Sequence, residues 1–160
     1  MNTSNFARRA FSSKFGQSGR SVVIVGAKRT PIGSFMGQFK GMPAPQLGSA
    51  AARGAMESCG VQPTDIQESF FGQVITAGVG QAPDRQVILE AGCSVDTPTT
   101  LVNKVCASGM KSVMMAAQQI RVGDRDICLA GGMENMSKIP HYLYLRQATG
   151  YGHASAIDAI

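Results

Sequence analysis

At 160 residues, with 44% hydrophobic side chains and a mean hydropathy near zero, the chain has the size and balance of one ordinary soluble globular domain. The formal net charge of +5 misleads as a bulk figure. Arg8, Arg9, Lys14 and Arg20 lie in a stretch without acidic residues before Ser21, and the rest of the chain is close to neutral, which excludes a nucleic-acid footprint of basic residues interleaved with aromatics.

Met1 to Arg20 carries arginine and serine, no acid, and Phe6, Phe11 and Phe15 as apolar points. That is the composition of a mitochondrial transit peptide, and Arg9-Ala10-Phe11-Ser12 reads as a matrix-processing site with cleavage after Phe11. The alternative is a basic tail without an address. No apolar run follows the charges that would make a secretory signal.

Ser21 to Val25 reads as a first strand, buried on both faces because it is nearly all apolar. Thr30 to Pro45, with its glycines and prolines, reads as a loop. Gln46 to Ser58 predicts a helix with Leu47, Ala50, Ala51, Gly54 and Ala55 on one face, ended by Gly60. A turn at Pro63 to Ile66 leads to a strand over Ser69 to Thr76. Gly78 and Gly80 make a flexible turn, and Pro83 suits the first turn of a helix reaching about Ala91. Thr99 to Val105, rich in β-branched residues, reads as a strand. From Ala107 the spacing of Met110, Val113, Met114, Ala117 and Arg121 is helical, and Gly123 stands where a left-handed C-terminal residue is usual. Asp126 to Ala130 reads as a further buried strand closed by Gly131-Gly132. Strand and helix alternate throughout, the order of a doubly wound α/β layer. Ser137 to Ile160 changes to an irregular, aromatic-bearing loop.

Cys106 falls at the strand-to-helix corner. There a thiol meets the unpaired N–H groups of the first helical turn and the positive end of the helix dipole, which favour thiolate over thiol. Lys104 and Lys111 flank it, as further sources of positive charge or as solvated or capping side chains. Ala107, Met110, Val113, Met114, Met115, Ala116, Ala117 and Ile120 make the following helix apolar nearly all round, so it should lie between two layers of structure. It is too short and too interrupted to span a membrane. Cys59, Cys93 and Cys128 read as small apolar packing residues. The four cysteines contain no C-x-x-C pair, and His141 and His153 complete no metal-ligand pattern. Gly78-x-Gly80 precedes no dinucleotide fingerprint, and neither a Walker motif nor a G-x-S-x-G elbow occurs.

V-N-K-V-C-A-S-G-M-K-S around Cys106, followed by A-G-G-M-E-N-M-S, closely resembles the active-site segment of thiolases. V-G-A-K-R-T-P-I-G-S-F at Val25 to Phe35, F-G-Q-V-I at Phe71 to Ile75 and G-Q-A-P-D-R-Q at Gly80 to Gln86 extend the likeness from about Val22 to Ile160. The wording resembles the acetoacetyl type most, with longer-chain ketoacyl-CoA thiolases as the related alternative. The resemblance implies a thiolase-like α/β fold, and it implies reversible Claisen condensation of two acetyl-CoA to acetoacetyl-CoA plus CoA. In that reading Cys106 carries the acetyl group and its backbone N–H forms part of an oxyanion hole. Coenzyme A thioesters are then substrates, with no further cofactor and no metal. The resemblance also implies a homotetramer or homodimer, and a matrix location.

Thiolases also use a histidine in N-x-x-G-G-A-x-x-x-G-H-P, a cysteine in C-x-G-G-x-G and an asparagine in N-E-A-F, and none of these motifs occurs here. Neither His141 nor His153 matches the family's histidine. The expectation is therefore a transit segment over 1–20 and an incomplete thiolase N-terminal domain over 21–160, with a loop domain opening near residue 137. The central helix of such a chain lacks one of its two covers, and the chain alone is inactive, or acts only by associating with full-length subunits. Fusing Met1 to Arg20 to a fluorescent protein should direct it to mitochondria; uniform cytosolic fluorescence would count against the leader.

Overall fold

The computed structural model describes residues 20–146 and 151–160. Apart from Arg20, the expected leader lies outside them. Three parallel strands form the central sheet: β1 (Glu68–Gly72), β2 (Thr99–Val102) and β3 (Cys128–Gly132), in the order β2-β1-β3. Phe70 pairs with Thr100 on one side and with Ala130 on the other. Three helices cover the sheet: α1 (Ala44–Cys59), α2 (Pro83–Glu90) and α3 (Ser108–Val122). Helices α1 and α2 pack against each other, α2 lies on β1 and β2, and α3 lies on β1 and β3. Phe70 and Phe71, adjacent in β1, are each 2% exposed, so the central strand is buried on both faces as a parallel sheet requires.

The main core gathers Met56, Phe71, Val87, Ile88, Leu129 and Met133. Val87 and Ile88 are fully buried, and each such side chain stabilises the fold by roughly 1.5–3 kcal/mol. The opposite face is built on glycine. A Cβ at Gly72 would stand 2.5 Å from the N of Gly109 and 2.8 Å from Cβ of Ser108, and one at Gly132 would meet Cα of Gly109 at 3.3 Å. The first turn of α3 therefore lies directly on sheet backbone. Ser112 on the next turn donates its hydroxyl to the Gly131 carbonyl at 2.7 Å.

Several elements differ from the sequence reading. Ser21 to Val25 is not a strand, and Val23, Ile24 and Val25 are exposed. An apolar run becomes a buried strand only where an edge supplies its hydrogen bonds, and among the described residues the backbone of 20–33 makes no backbone hydrogen bond. Its middle lies against α1, where a Cβ at Gly26 would meet the Ala55 carbonyl at 2.7 Å, and at its ends Arg20 pairs with Asp126 and the Met36 N–H donates to Ser137 Oγ at 2.8 Å.

Helix α1 begins two residues earlier than expected, with Pro45 in its first turn. It also buries a different face, formed by Gly48, Ser49, Ala52 and Met56. The reason is size. A Cβ at Gly48 would sit 2.9 Å from Val87 Cγ2, so the helix enters the core through its smallest side chains, and Leu47 and Ala51 look into a cleft instead. Strand β1 ends at Gly72; the Gln73 N–H still donates to the Val102 carbonyl of β2 at 3.1 Å, and beyond it the Val74 and Ile75 N–H groups leave the ladder for the Glu134 carboxylate. Strand β3 starts two residues late and contains Gly131 and Gly132, which pair with Phe71 and Gly72.

Helix α2 and the left-handed Gly123 after α3 are as the sequence predicts. Burial of α3 on all sides is not found. Ser108, Ser112 and Ala116 face the sheet, while Met110, Val113 and Met114 are exposed. The C-terminal region includes a two-stranded antiparallel ribbon, β4 (His141–Tyr142) with β5 (Ile157–Asp158), that the irregular reading missed.

The glycine contact gives a direct test. Gly72→Ala should destabilise the chain by about 1–3 kcal/mol or more, the usual cost of overpacking, because the atoms it meets are α3 backbone. Gly41→Ala, with nothing within 4 Å of the added Cβ, should be near neutral in the same urea denaturation series.

Candidate active site

Strand β2 ends at Val102 and α3 begins at Ser108, so five residues turn the chain from the sheet into the helix. Val105 makes the turn with φ of 51°, a left-handed conformation that is a genuine outlier for a β-branched residue. Its N–H donates to Asn103 Oδ1 at 3.0 Å. Its carbonyl accepts from the Ser108 N–H at 3.0 Å and from Ser108 Oγ at 2.5 Å. Ser108 Oγ also accepts from the Lys104 N–H at 2.8 Å. Cys106 follows Val105, and its residue is exposed. Among the described residues the Cys106 N–H has no hydrogen-bond partner, nor do the N–H groups of Gly109 and Met110 in the first turn of α3. Donors without partners beside an exposed thiol are the local requirement for stabilising an oxyanion formed on that sulfur's acyl group.

The cleft that Cys106 lines has a volume of about 910 Å³. Gln73, Glu134, Leu47, Val105 and the extended segment around Lys28 also line it. Gln73 is 1% exposed; its Nε2 donates to the Ile75 carbonyl at 3.0 Å, and its buried Oε1 has no partner among the described residues. Glu134 Oε2 accepts from the Val74 N–H at 2.8 Å, and Asn103 Nδ2 donates to the Val74 carbonyl at 3.0 Å, so the floor of the cleft is tied to the Cys106 turn. Asn135 joins the far wall by donating to the Phe39 and Met42 carbonyls at 2.8 and 2.7 Å. Lys104 is exposed and Lys111 half-buried, and neither ammonium forms a salt bridge among the described residues. His141 and His153 are exposed and do not line the cleft. No group of three His, Cys, Asp or Glu side chains suited to a metal occurs among the described residues.

Two of the other three thiols are harder to ionise than a free thiol. Cys93 is buried, and that burial raises its pKa. Burial, reinforced by the negative charge of Glu68 and opposed by Arg125, pushes Cys128 from 9.0 up to about 11. Cys59 Sγ donates to the Ala55 carbonyl at 3.3 Å, within α1.

Residues 22–160 match the family described as Thiolase, N-terminal domain. The chain belongs to the thiolase family. This thiolase chain is 48% identical over 155 residues to the mitochondrial acetyl-CoA acetyltransferase of Bos taurus, a match covering 97% of this chain and 36% of that protein. The mitochondrial acetyl-CoA acetyltransferase of Mus musculus is 49% identical over 152 residues, 95% of this chain and 35% of its own length. The solved acetyl-CoA acetyltransferase of Syntrophomonas wolfei superposes with a TM-score of 0.81 at 34% identity, covering 89% of this chain and 36% of that one. The thiolase chain thus spans about a third of the length of the curated relatives it matches. Its α/β sheet with packed helices is the thiolase-like fold.

The sequence placed Cys106 at a strand-to-helix corner, and the structure keeps it there. The roles of Asn103, Ser108, Gln73 and Glu134 were missed, although all four lie inside the motifs that carried the resemblance. The available signal was position: polar side chains beside a nucleophile corner and at the ends of glycine-containing strands.

Iodoacetamide at neutral pH should label Cys106 first and Cys93 and Cys128 last, read by peptide mass spectrometry; earlier labelling of any other cysteine would sink the assignment of Cys106. Cys128 labelling should climb only toward pH 11. The linked stability has a definite sign. The folded state holds the Cys128 proton more tightly than the unfolded state, so its contribution is full below pH 9 and is lost as the pH rises toward 11. Cys128→Ala should flatten that alkaline decline in denaturation midpoints.

Proposed function

We propose that this chain supplies the nucleophile-bearing part of an acetyl-CoA C-acetyltransferase, which condenses two acetyl-CoA to acetoacetyl-CoA plus CoA and runs in reverse as a thiolysis. The observation that carries the proposal is the exposed Cys106 at the sheet-to-helix corner of a cleft, with its own N–H and those of Gly109 and Met110 without partners among the described residues. In the first half-reaction the Cys106 thiolate attacks the thioester carbonyl of acetyl-CoA, negative charge gathers on the carbonyl oxygen, and the C–S bond to CoA breaks. CoA leaves with the proton given up by Cys106, and the acetyl group stays on the cysteine sulfur. The Cys106 N–H is the donor this chain offers to the developing oxyanion. In the second half-reaction a second acetyl-CoA, deprotonated at its methyl carbon, attacks the acetyl-cysteine carbonyl. Acetoacetyl-CoA forms and the Cys106 thiolate is released.

The proton carriers are expected from sequence outside the 160 residues, in the histidine and second-cysteine motifs that the family resemblance implies. Coenzyme A thioesters are the substrates. A homotetramer or homodimer of the longer protein, and delivery to the mitochondrial matrix through residues 1–20, complete the reading. The mitochondrial part of that reading is supported by relatives at 48 and 49% identity that are named mitochondrial.

The proposal predicts that the 160-residue chain alone shows no thiolysis of acetoacetyl-CoA, because catalytic groups that act as a unit lose their effect together. It should also associate on size-exclusion chromatography through the bared Met110, Val113 and Met114 face. Substituting residues 22–160 for the matching stretch of the bovine relative should give an active enzyme. Cys106→Ser in that chimera should lower kcat by several orders of magnitude while keeping the fold, since an alcohol is a far poorer nucleophile near neutral pH. Turnover by the isolated chain, or full activity of the Cys106→Ser chimera, would overturn the reading.

A further inference from the structure

Val105 is the strained residue of the Cys106 turn, and side chains hold both of its backbone groups. With φ of 51° it occupies a conformation that glycine takes freely and valine avoids. Strain of that kind persists only where surrounding groups over-determine it. Ser108 grips the carbonyl side from within α3, through both its N–H and its hydroxyl. The amide side depends on Asn103 Oδ1.

Asn103 does more than close a local turn, because its other end is anchored across the sheet. Its Nδ2 donates to the Val74 carbonyl, and Val74 is fixed in turn by its N–H donating to Glu134 Oε2. Glu134 stands just beyond β3, and Val74 two residues beyond β1. The side-chain amide of Asn103 therefore refers the Val105 peptide to the ends of both other strands of the sheet. Without that reference the valine can return to negative φ, which reorients the peptide joining it to Cys106 and turns the thiol and its N–H away from the cleft.

We infer that Asn103 is a positioning residue for Cys106, holding Val105 in its left-handed conformation so that the thiol and its N–H face the cleft. The inference rests on the reading of Cys106 as the nucleophile, and the test separates the two. The measurement is the rate at which iodoacetamide alkylates Cys106 in the folded 160-residue chain, by peptide mass spectrometry, with Cys59 as internal reference and far-UV circular dichroism as the check on folding. Asn103→Ala should slow Cys106 alkylation about tenfold, as the sulfur loses its place in the cleft beside the unpartnered N–H groups of the turn, and leave Cys59 unchanged. Val105→Gly adopts positive φ without strain, and its own alkylation rate is measured as the reference for the double variant. Added to Asn103→Ala, it should restore most of the loss. A merely structural Asn103 would give a deficit that Val105→Gly does not relieve.

An Asn103→Ala chain that reacts at the parent rate or faster overturns the positioning role. So does a slowed Asn103→Ala chain that Val105→Gly fails to rescue. Where Asn103→Ala alone does not fold, the double variant decides: a folded chain with a parental rate supports the inference, and an unfolded one refutes it. Slow alkylation of Cys106 in the parent chain refutes the nucleophile reading itself, whereas fast alkylation in both parent and Asn103→Ala refutes only the role of Asn103.

Discussion

The rest of this structure depends on one steric allowance, the contact of the first turn of α3 with bare sheet backbone at Gly72 and Gly132. Helix α3 comes this close because neither position carries a side chain and because Gly109 faces them from the helix. The contact fixes where α3 begins relative to the carboxyl ends of β1 and β3. That is the end of a parallel sheet at which open α/β folds place their ligands. Cys106 is the residue carried there. Any displacement of the helix start moves the nucleophile by the same amount, so packing and chemistry share one constraint.

Around this contact the loops are held by side chains that bond to backbone more than by hydrophobic burial. The Glu134 carboxylate takes the N–H groups of Val74 and Ile75, Asn135 takes two carbonyls of the 39–42 turn, and the Arg85 guanidinium takes the carbonyls of Thr97 and Val95. Backbone groups beyond a strand end have no ladder partner, and polar side chains are the economical way to satisfy them. Each of these side chains lies outside the stretch it holds: Glu134 and Asn135 follow β3, and Arg85 sits in α2. The loops around the cleft are therefore positioned by the sheet as a whole and not by their own sequence.

This division explains what could be read without coordinates. The corner at Cys106, the α2 helix opened by Pro83 and the stop at Gly123 were legible because each is decided within a few residues: a change of hydrophobic period, a fixed φ, a left-handed glycine. The Ser21 to Val25 segment was misread because a strand is a relation between two segments, and its apolar character says nothing of whether an edge is within reach. The α1 face was misread because the periodicity argument favours larger side chains, while the core admits this helix through Gly48, Ser49 and Ala52. Asn103 and Glu134 are marked in the sequence by position alone, which does not name their partners. Their bonds cross 29 and 60 residues of chain, and only a folded sheet brings the partners together.

The strand order has a consequence for how the chain comes to exist. The central strand β1 is the first of the three to be synthesised, and both of its neighbours lie downstream. On the ribosome Phe70 and Phe71 must therefore wait, unpaired, until β2 and then β3 emerge. Gly131 and Gly132 are the last residues of the sheet to arrive, and the floor under α3 is incomplete before them. Parallel pairings at long sequence separation form slowly, and the apolar strands exposed meanwhile are the surfaces that chaperones capture. Cys106 leaves the ribosome before Gly131 and Gly132, so its corner gains its full support only after both have emerged.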